Sequence, residues 1–179
     1  MRDDSKTLGG QAVDRPQIDL EGGFAAVARA AGLPDFDPFA NDMNFLLGGM
    51  LFEDVGVTAY AGAAPLLKKK EFVEAAAGIL AVEAYHMGMA RSQLYEMGDT
   101  AQQAANAISA ARDKIDGAED KDQGIERNGK ANFVPSNADG IAYRRTPKEV
   151  LRIVYLTDRS GATSGGFYPK GMNGALKST

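Results

Sequence analysis

Two stretches decide the fold: MNFLLGGMLFEDVGVTAYAGAA at residues 43–64 and KKEFVEAAAGILAVEAYHMGMARSQLYEM at residues 69–97. In the first, Leu46, Met50, Val57 and Tyr60 recur at helical spacing, and Glu53 falls on the same stripe. In the second, Ala76, Ile79, Leu80, Met87, Ala90 and Leu94 define one inward face, which also carries Glu83 and His86. His86 is the only histidine of the chain. This spacing predicts two long helices that turn through Pro65 and Lys68 to Lys70 and pack antiparallel, with Glu53, Glu83 and His86 converging between them.

A carboxylate on an apolar face loses hydration unless it protonates, pairs with a cation or binds a metal. Residues three apart on a helix point the same way, so Glu83 and His86 can ligate one ion together. Bundles that hold two metal ions take a Glu from each of two helices and a Glu-x-x-His from each of two others. Glu53, Glu83 and His86 are half of that set. Gly56 stands third after Glu53, so the first helix gives Glu alone. Carboxylate with imidazole suits iron or manganese, with zinc a weaker candidate. The plain alternative makes Glu53 an acid at a helix edge and His86 a hydrogen-bonded core histidine, since Glu-x-x-His is short and recurs by chance. Tyr60 reads as core rather than as a redox partner, and Tyr85 as pointing off the stripe.

Working outward, DPFANDMNFLLGGMLFEDVGVTAYAGAAPLL at 37–67 and AAAGILAVEAYHMGMARSQLYEMG at 75–98 resemble the ferritin-like domain of plant desiccation-related proteins and their bacterial relatives. The resemblance continues through ANAISAARDKIDG, DQGI, NFVPSNADGIAYRRTPKEVLRIVYL and TSGGFYPKGMNG, nearly the whole chain. It implies an all-α, ferritin-like helical bundle, with metal storage or oxygen and peroxide handling at Glu53, Glu83 and His86. The family pattern has a further helix pair upstream, with another Glu and Glu-x-x-His, and nothing before Met43 matches it. The expectation is therefore the C-terminal half of the bundle with a half-site for metal. A non-catalytic structural stress protein, or a truncated copy with no intact site, stays open beside it.

The chain has 179 residues, enough for one domain with a real core. Net charge is −4 and the pI about 5.1, without the basic patch of a nucleic-acid partner. With no cysteine, disulfides and thiolate sites are excluded. No run suits a membrane span, and MRDDSKTLGG has no signal-peptide core. The compartment is undetermined: cytoplasmic by default, exported if a signal lies upstream.

Residues 1–19 read as a leader or connection, 20–117 as the helical region and 118–179 as a loop-rich extension lying against it. Leu20 to Ala31 reads as a short helix stopped by Gly32 and Pro34. Asn41 or Asp42 is the expected cap of the Glu53 helix. Gly48, Gly49, Gly56 and Gly62 read as positions of close packing rather than ligand contacts. Thr100 with Gln103 suggests a capping box for a third long helix, whose inward face is Ala104, Ile108, Ala111 and Ile115. Asp120 and Asp122 hint at a calcium loop but fail the EF-hand spacing, and read as solvated. Thr146, Pro147 and Glu149 predict a capped helix to about Leu156. Two long helices cannot enclose a four-helix core, so Leu46, Met50, Ile79 and Met87 would be exposed and seek a partner. A homodimer would cover them and double the ligand set; the rival is closure within one chain by residues 20–31 and 100–116.

Overall fold

The computed structural model describes residues 13–33 and 36–179. Among these, five α-helices appear: α1 Leu20–Ala31, α2 Asp42–Ala63, α3 Lys70–Glu96, α4 Asp99–Asp116 and α5 Pro147–Tyr155. The leader reading for residues 1–12 and the stop at Pro34 lie outside the described residues.

Local chemistry sets the helix ends. The Asp19 side chain accepts from Gly22 N–H at 2.9 Å and Gly32 closes α1 at φ 68°. Asn41, not Asp42, caps α2 by accepting from Asn44 N–H at 2.9 Å. The Thr100–Gln103 capping box does not form. Gly98, at φ 88°, turns the chain sharply, α4 starts at Asp99 and no side chain caps it. The Thr146–Glu149 box is present in both directions, with Pro147 in the first turn of α5.

α2 and α3 form a hairpin joined by the 3-10 turn Ala64–Leu66. Residue 53 lies beside 86 and residue 56 beside 83, so the two helices run antiparallel. α1 and α4 close over this hairpin within one chain. Phe24, Val27, Leu47, Met50, Leu51, Leu94, Ala101, Ala105 and Ile108 meet in one core. Met50 and Met87 are therefore buried, at 0% and 6% exposure, and do not form the expected exposed stripe. The exposed apolar side chains of the hairpin are instead Phe45, Val73, Val82, Tyr85 and Met89. Tyr85 points off the buried face, as its position in the helix predicts.

The segment after α4 is mostly irregular. It contains one antiparallel hairpin, Glu126–Arg127 with Lys130–Ala131, turned by Asn128 and Gly129 at positive φ. The Asn-Gly pair at 128–129 thus forms a short hairpin within the extension expected to be loop-rich. The ending lies against the bundle. Phe167 is 1% exposed and meets Phe24 and Phe52 edge-on, with ring centres 5.1 and 4.9 Å away. Residues 13–19 are also held: Asp19 N–H donates to Phe167 O at 2.9 Å and Asn173 Nδ2 to Asp14 O at 2.7 Å. Among the described residues no helix is long and apolar enough to cross a membrane.

Candidate metal centre

The hairpin brings the three sequence-nominated residues together. His86 Nδ1 lies 3.3 Å from Glu53 Oε1, and the Glu83 carboxyl is in hydrogen-bonding contact with Glu53. Their depth differs from the expectation. The buried stripe of α2 runs through Leu47, Met50, Leu51, Asp54 and Thr58, so Asp54 faces the interior and Glu53 the edge. The Glu53 side chain is 27% exposed and that of His86 51% exposed. Met87, Ala90 and Leu94 turn inward on α3, and His86 does not share their burial. The three residues occupy the outer seam of the hairpin.

Gly56 stands opposite Glu83, and a Cβ built there would collide with the Glu83 carboxylate. The glycine that leaves α2 without a second ligand is also what admits the carboxyl from α3. Burial, then the hydrogen bond and charge of Glu53, push the Glu83 pKa up to about 7 against the opposite pull of His86. Burial and the charge of Glu83 raise the Tyr60 hydroxyl, so Tyr60 borders the site. Glu53 Oε2 is a buried atom that no donor reaches. Two carboxyl groups in contact, one with an orphaned oxygen, need a proton or a cation between them. Two carboxylates and one imidazole thus fit the donor set of one metal ion and half that of a dimetal site.

The raised Glu83 gives a signed expectation. The folded state holds a proton on Glu83 that the unfolded chain has lost between the ordinary glutamate range and about pH 7. Stability from this carboxyl is present below that window and falls as pH rises through it. In chelator-treated protein, the melting temperature of the parent should decline relative to Glu83→Gln across the window. Parallel pH curves for the two proteins would show that Glu83 carries no extra proton.

A second polar assembly lies inside the bundle, and the sequence reading missed it. The Asp54 carboxylate accepts from Arg91 Nε and Nη2 at 2.9 and 2.8 Å and from Arg112 Nη2 at 2.6 Å. Arg112 Nε reaches Asp122 Oδ1 at 2.9 Å, and Arg145 joins Asp116 at 2.7 Å to Asp122. All three arginines are at most 2% exposed. Arg91 further donates to the carbonyls of Gln123, Gly124 and Asn132, and Arg112 to those of Met50 and Leu51. Burial opposes the charge of Asp54, but Arg112 and Arg91 outweigh it and hold the carboxyl below its usual range. Asp122 is buried in this network rather than solvated, because the loop folds inward to meet Arg112 and Arg145. Asp120 is exposed, as expected, beside Arg127 at 3.0 Å. The available signal was Asp54 and Arg91 on the apolar sides of their helices. Among the described residues, only Asp113, Asp116 and Asp122 place one ligand atom each within 4.8 Å of all the others. Glu53, Glu83 and His86 are spaced more openly.

A helical bundle with two glutamates and a histidine on the outer seam of one hairpin defines a class of fold, and the comparisons give its family. The family model described as ferritin-like domain matches residues 5–96, and the chain belongs to that family. It is 31% identical over a 192-residue alignment to "Ferritin-like catalase Nec2" of Nesocodon mauritianus, covering 96% of this chain and 61% of that protein. It is 34% identical over 158 residues to "Desiccation-related protein PCC13-62" of Craterostigma plantagineum, covering 76% of this chain and 50% of that protein. The chain thus spans between half and about three-fifths of the length of these curated relatives. The resemblance to the desiccation-related family, drawn from the sequence, is borne out. No solved structure matches the chain.

Proposed function

We propose that this ferritin-like, stress-related chain binds a redox metal, iron or manganese, at Glu53, Glu83 and His86, and uses it in metal storage or peroxide handling. The observation that carries this reading is the Glu53 carboxylate, set against both His86 and Glu83 with an oxygen that no donor satisfies. The relative named as a ferritin-like catalase supports peroxide among the candidate substrates. A bound redox metal would supply the electron exchange that peroxide breakdown requires. The chain's own residues would supply the ligands: the carboxylates of Glu53 and Glu83 and the imidazole of His86. Metal content after purification without added ions, read with hydrogen peroxide consumption, tests the proposal. Stoichiometric metal with peroxide loss supports turnover, metal alone supports storage, and no metal with no turnover overturns it.

A non-catalytic structural role has one observation in its favour. The Asp54–Arg91–Arg112 network ties α2, α3 and α4 together without any metal.

The half-site invites completion by a second copy of the chain. Val82, Tyr85, His86 and Met89 recur three and four residues apart on α3, and all four are exposed. Twofold pairing on this stripe would bring four carboxylates and two histidines together, the full dimetal set. Native mass spectrometry at low micromolar concentration should show a metal-loaded dimer that dissociates in Tyr85→Glu. A metal-free monomer that melts cooperatively would remove the dimer and favour the structural role.

A further inference from the structure

The last turn of α4 carries two acids, Asp113 and Asp116, beside one base, Lys114. A helix C-terminus carries partial negative charge and its last carbonyls lack intrahelical donors, so cations are favoured there. Here Asp113 and Asp116 stand three residues apart and so on one side of the helix. Gly117, at φ 146°, turns the chain back and brings Asp122 against both.

Charge balance shows what is missing. Asp54, Asp116 and Asp122 are matched one for one by Arg91, Arg112 and Arg145. Asp113 is surplus: among the described residues no cationic side chain pairs with it, while the backbone N–H groups of Lys121 and Asp122 donate to it. A separate observation concerns the same carboxylates. Asp116 is 0% exposed and gives only Oδ2 to Arg145, while its Oδ1 is a buried atom with no donor. Asp113 Oδ1 is orphaned in the same way. An unsatisfied carboxylate oxygen at full burial is strongly disfavoured.

We propose that Asp113, Asp116 and Asp122 bind a hard cation of the calcium type, which fastens the 117–124 loop to the end of α4. All three offer an oxygen within 4.8 Å of the others. Calcium–oxygen distances of about 2.3–2.6 Å place ligands no more than about 5 Å apart, so the spacing suits one ion. Asp113 is only half-buried, which leaves a side open for water ligands. Asp122 already serves Arg112 and Arg145, and would add a remaining lone pair. This differs from an EF-hand, because two ligands come from a helix end and one from the loop.

The test is calorimetric titration of the chelator-treated full chain with calcium chloride, with thermal melts alongside. The expected result is about one ion per chain, saturating by about 1 mM, and a rise in melting temperature. Asp113→Asn removes the surplus charge but keeps an oxygen for the Lys121 and Asp122 amides, so it should fold and bind at least about tenfold more weakly. Glu83→Gln should keep the calcium response, which separates this site from the one at Glu53, Glu83 and His86. No uptake at about 1 mM, or uptake unchanged in Asp113→Asn, would overturn the assignment. So would uptake lost in Glu83→Gln, since the ion would then sit on the hairpin seam.

Discussion

Arg112→Ala is expected to lower the unfolding free energy by about 3–5 kcal/mol, enough to threaten folding altogether. The guanidinium sits between Asp54 and Asp122 and also donates to two main-chain carbonyls of α2. Removing it takes one of two guanidinium partners from each of Asp54 and Asp122, which keep Arg91 and Arg145, and a side-chain donor from two carbonyls of α2. The cost comes from buried negative charge left under-compensated rather than from any large net strength of the ion pair. Urea unfolding followed by circular dichroism measures it, and a loss under about 1 kcal/mol would show that water takes over the role of the guanidinium. The pH dependence has a definite sign. Asp54 is held below its ordinary range, so its contribution is present above that range and is lost as pH falls through the lowered value.

The second large effect concerns the hairpin seam. Glu83→Ala and His86→Ala should both abolish bound metal. They should leave the metal-free melt close to that of the parent, because both side chains are well exposed or only part-buried. The difference should appear when metal is added. Ligand binding to the folded state adds about 2.7 kcal/mol at about 100 times the dissociation constant, and the variants should lack that increment. Melts with and without iron or manganese, read beside metal content, give the answer. Variants that keep the full metal-dependent rise would mean that the ion binds elsewhere.

The helical hairpin was legible because apolar residues at helical spacing outnumber everything else in residues 43–97. Glu83 and His86 could be nominated because helix spacing makes them neighbours, and Glu53 because it shares the stripe of the preceding helix and the family resemblance points to it. Their depth could not be read, since one residue's rotation decides whether Glu53 or Asp54 faces inward, and both lie beside apolar residues. The charge network was invisible for a related reason. Arg91 and Arg112 reach Asp54 across 37 and 58 residues and Arg145 reaches Asp122 across 23, where no local pattern operates. The failed box at Thr100 shows the opposite case: a sound local pattern yielded when Gly98 took the cap position and α4 began two residues early.

The placement of Arg145 also bears on how the chain folds as it is made. Its backbone N–H donates to Thr58 O at 2.9 Å and its Nη1 to Thr58 Oγ1 at 2.7 Å, a separation of 87 residues. Gly62, one turn on, has no side chain, and the Arg145 carbonyl occupies the space a Cβ would need. Contacts this far apart raise contact order and slow the final step of folding, because the loop must close before the contacts repay it. During synthesis, α1 to α4 emerge well before residue 145. Asp116 must then wait without its guanidinium at the end of an otherwise assembled bundle. The C-terminal segment therefore latches the finished bundle, closing contacts that the helices before it cannot make by themselves.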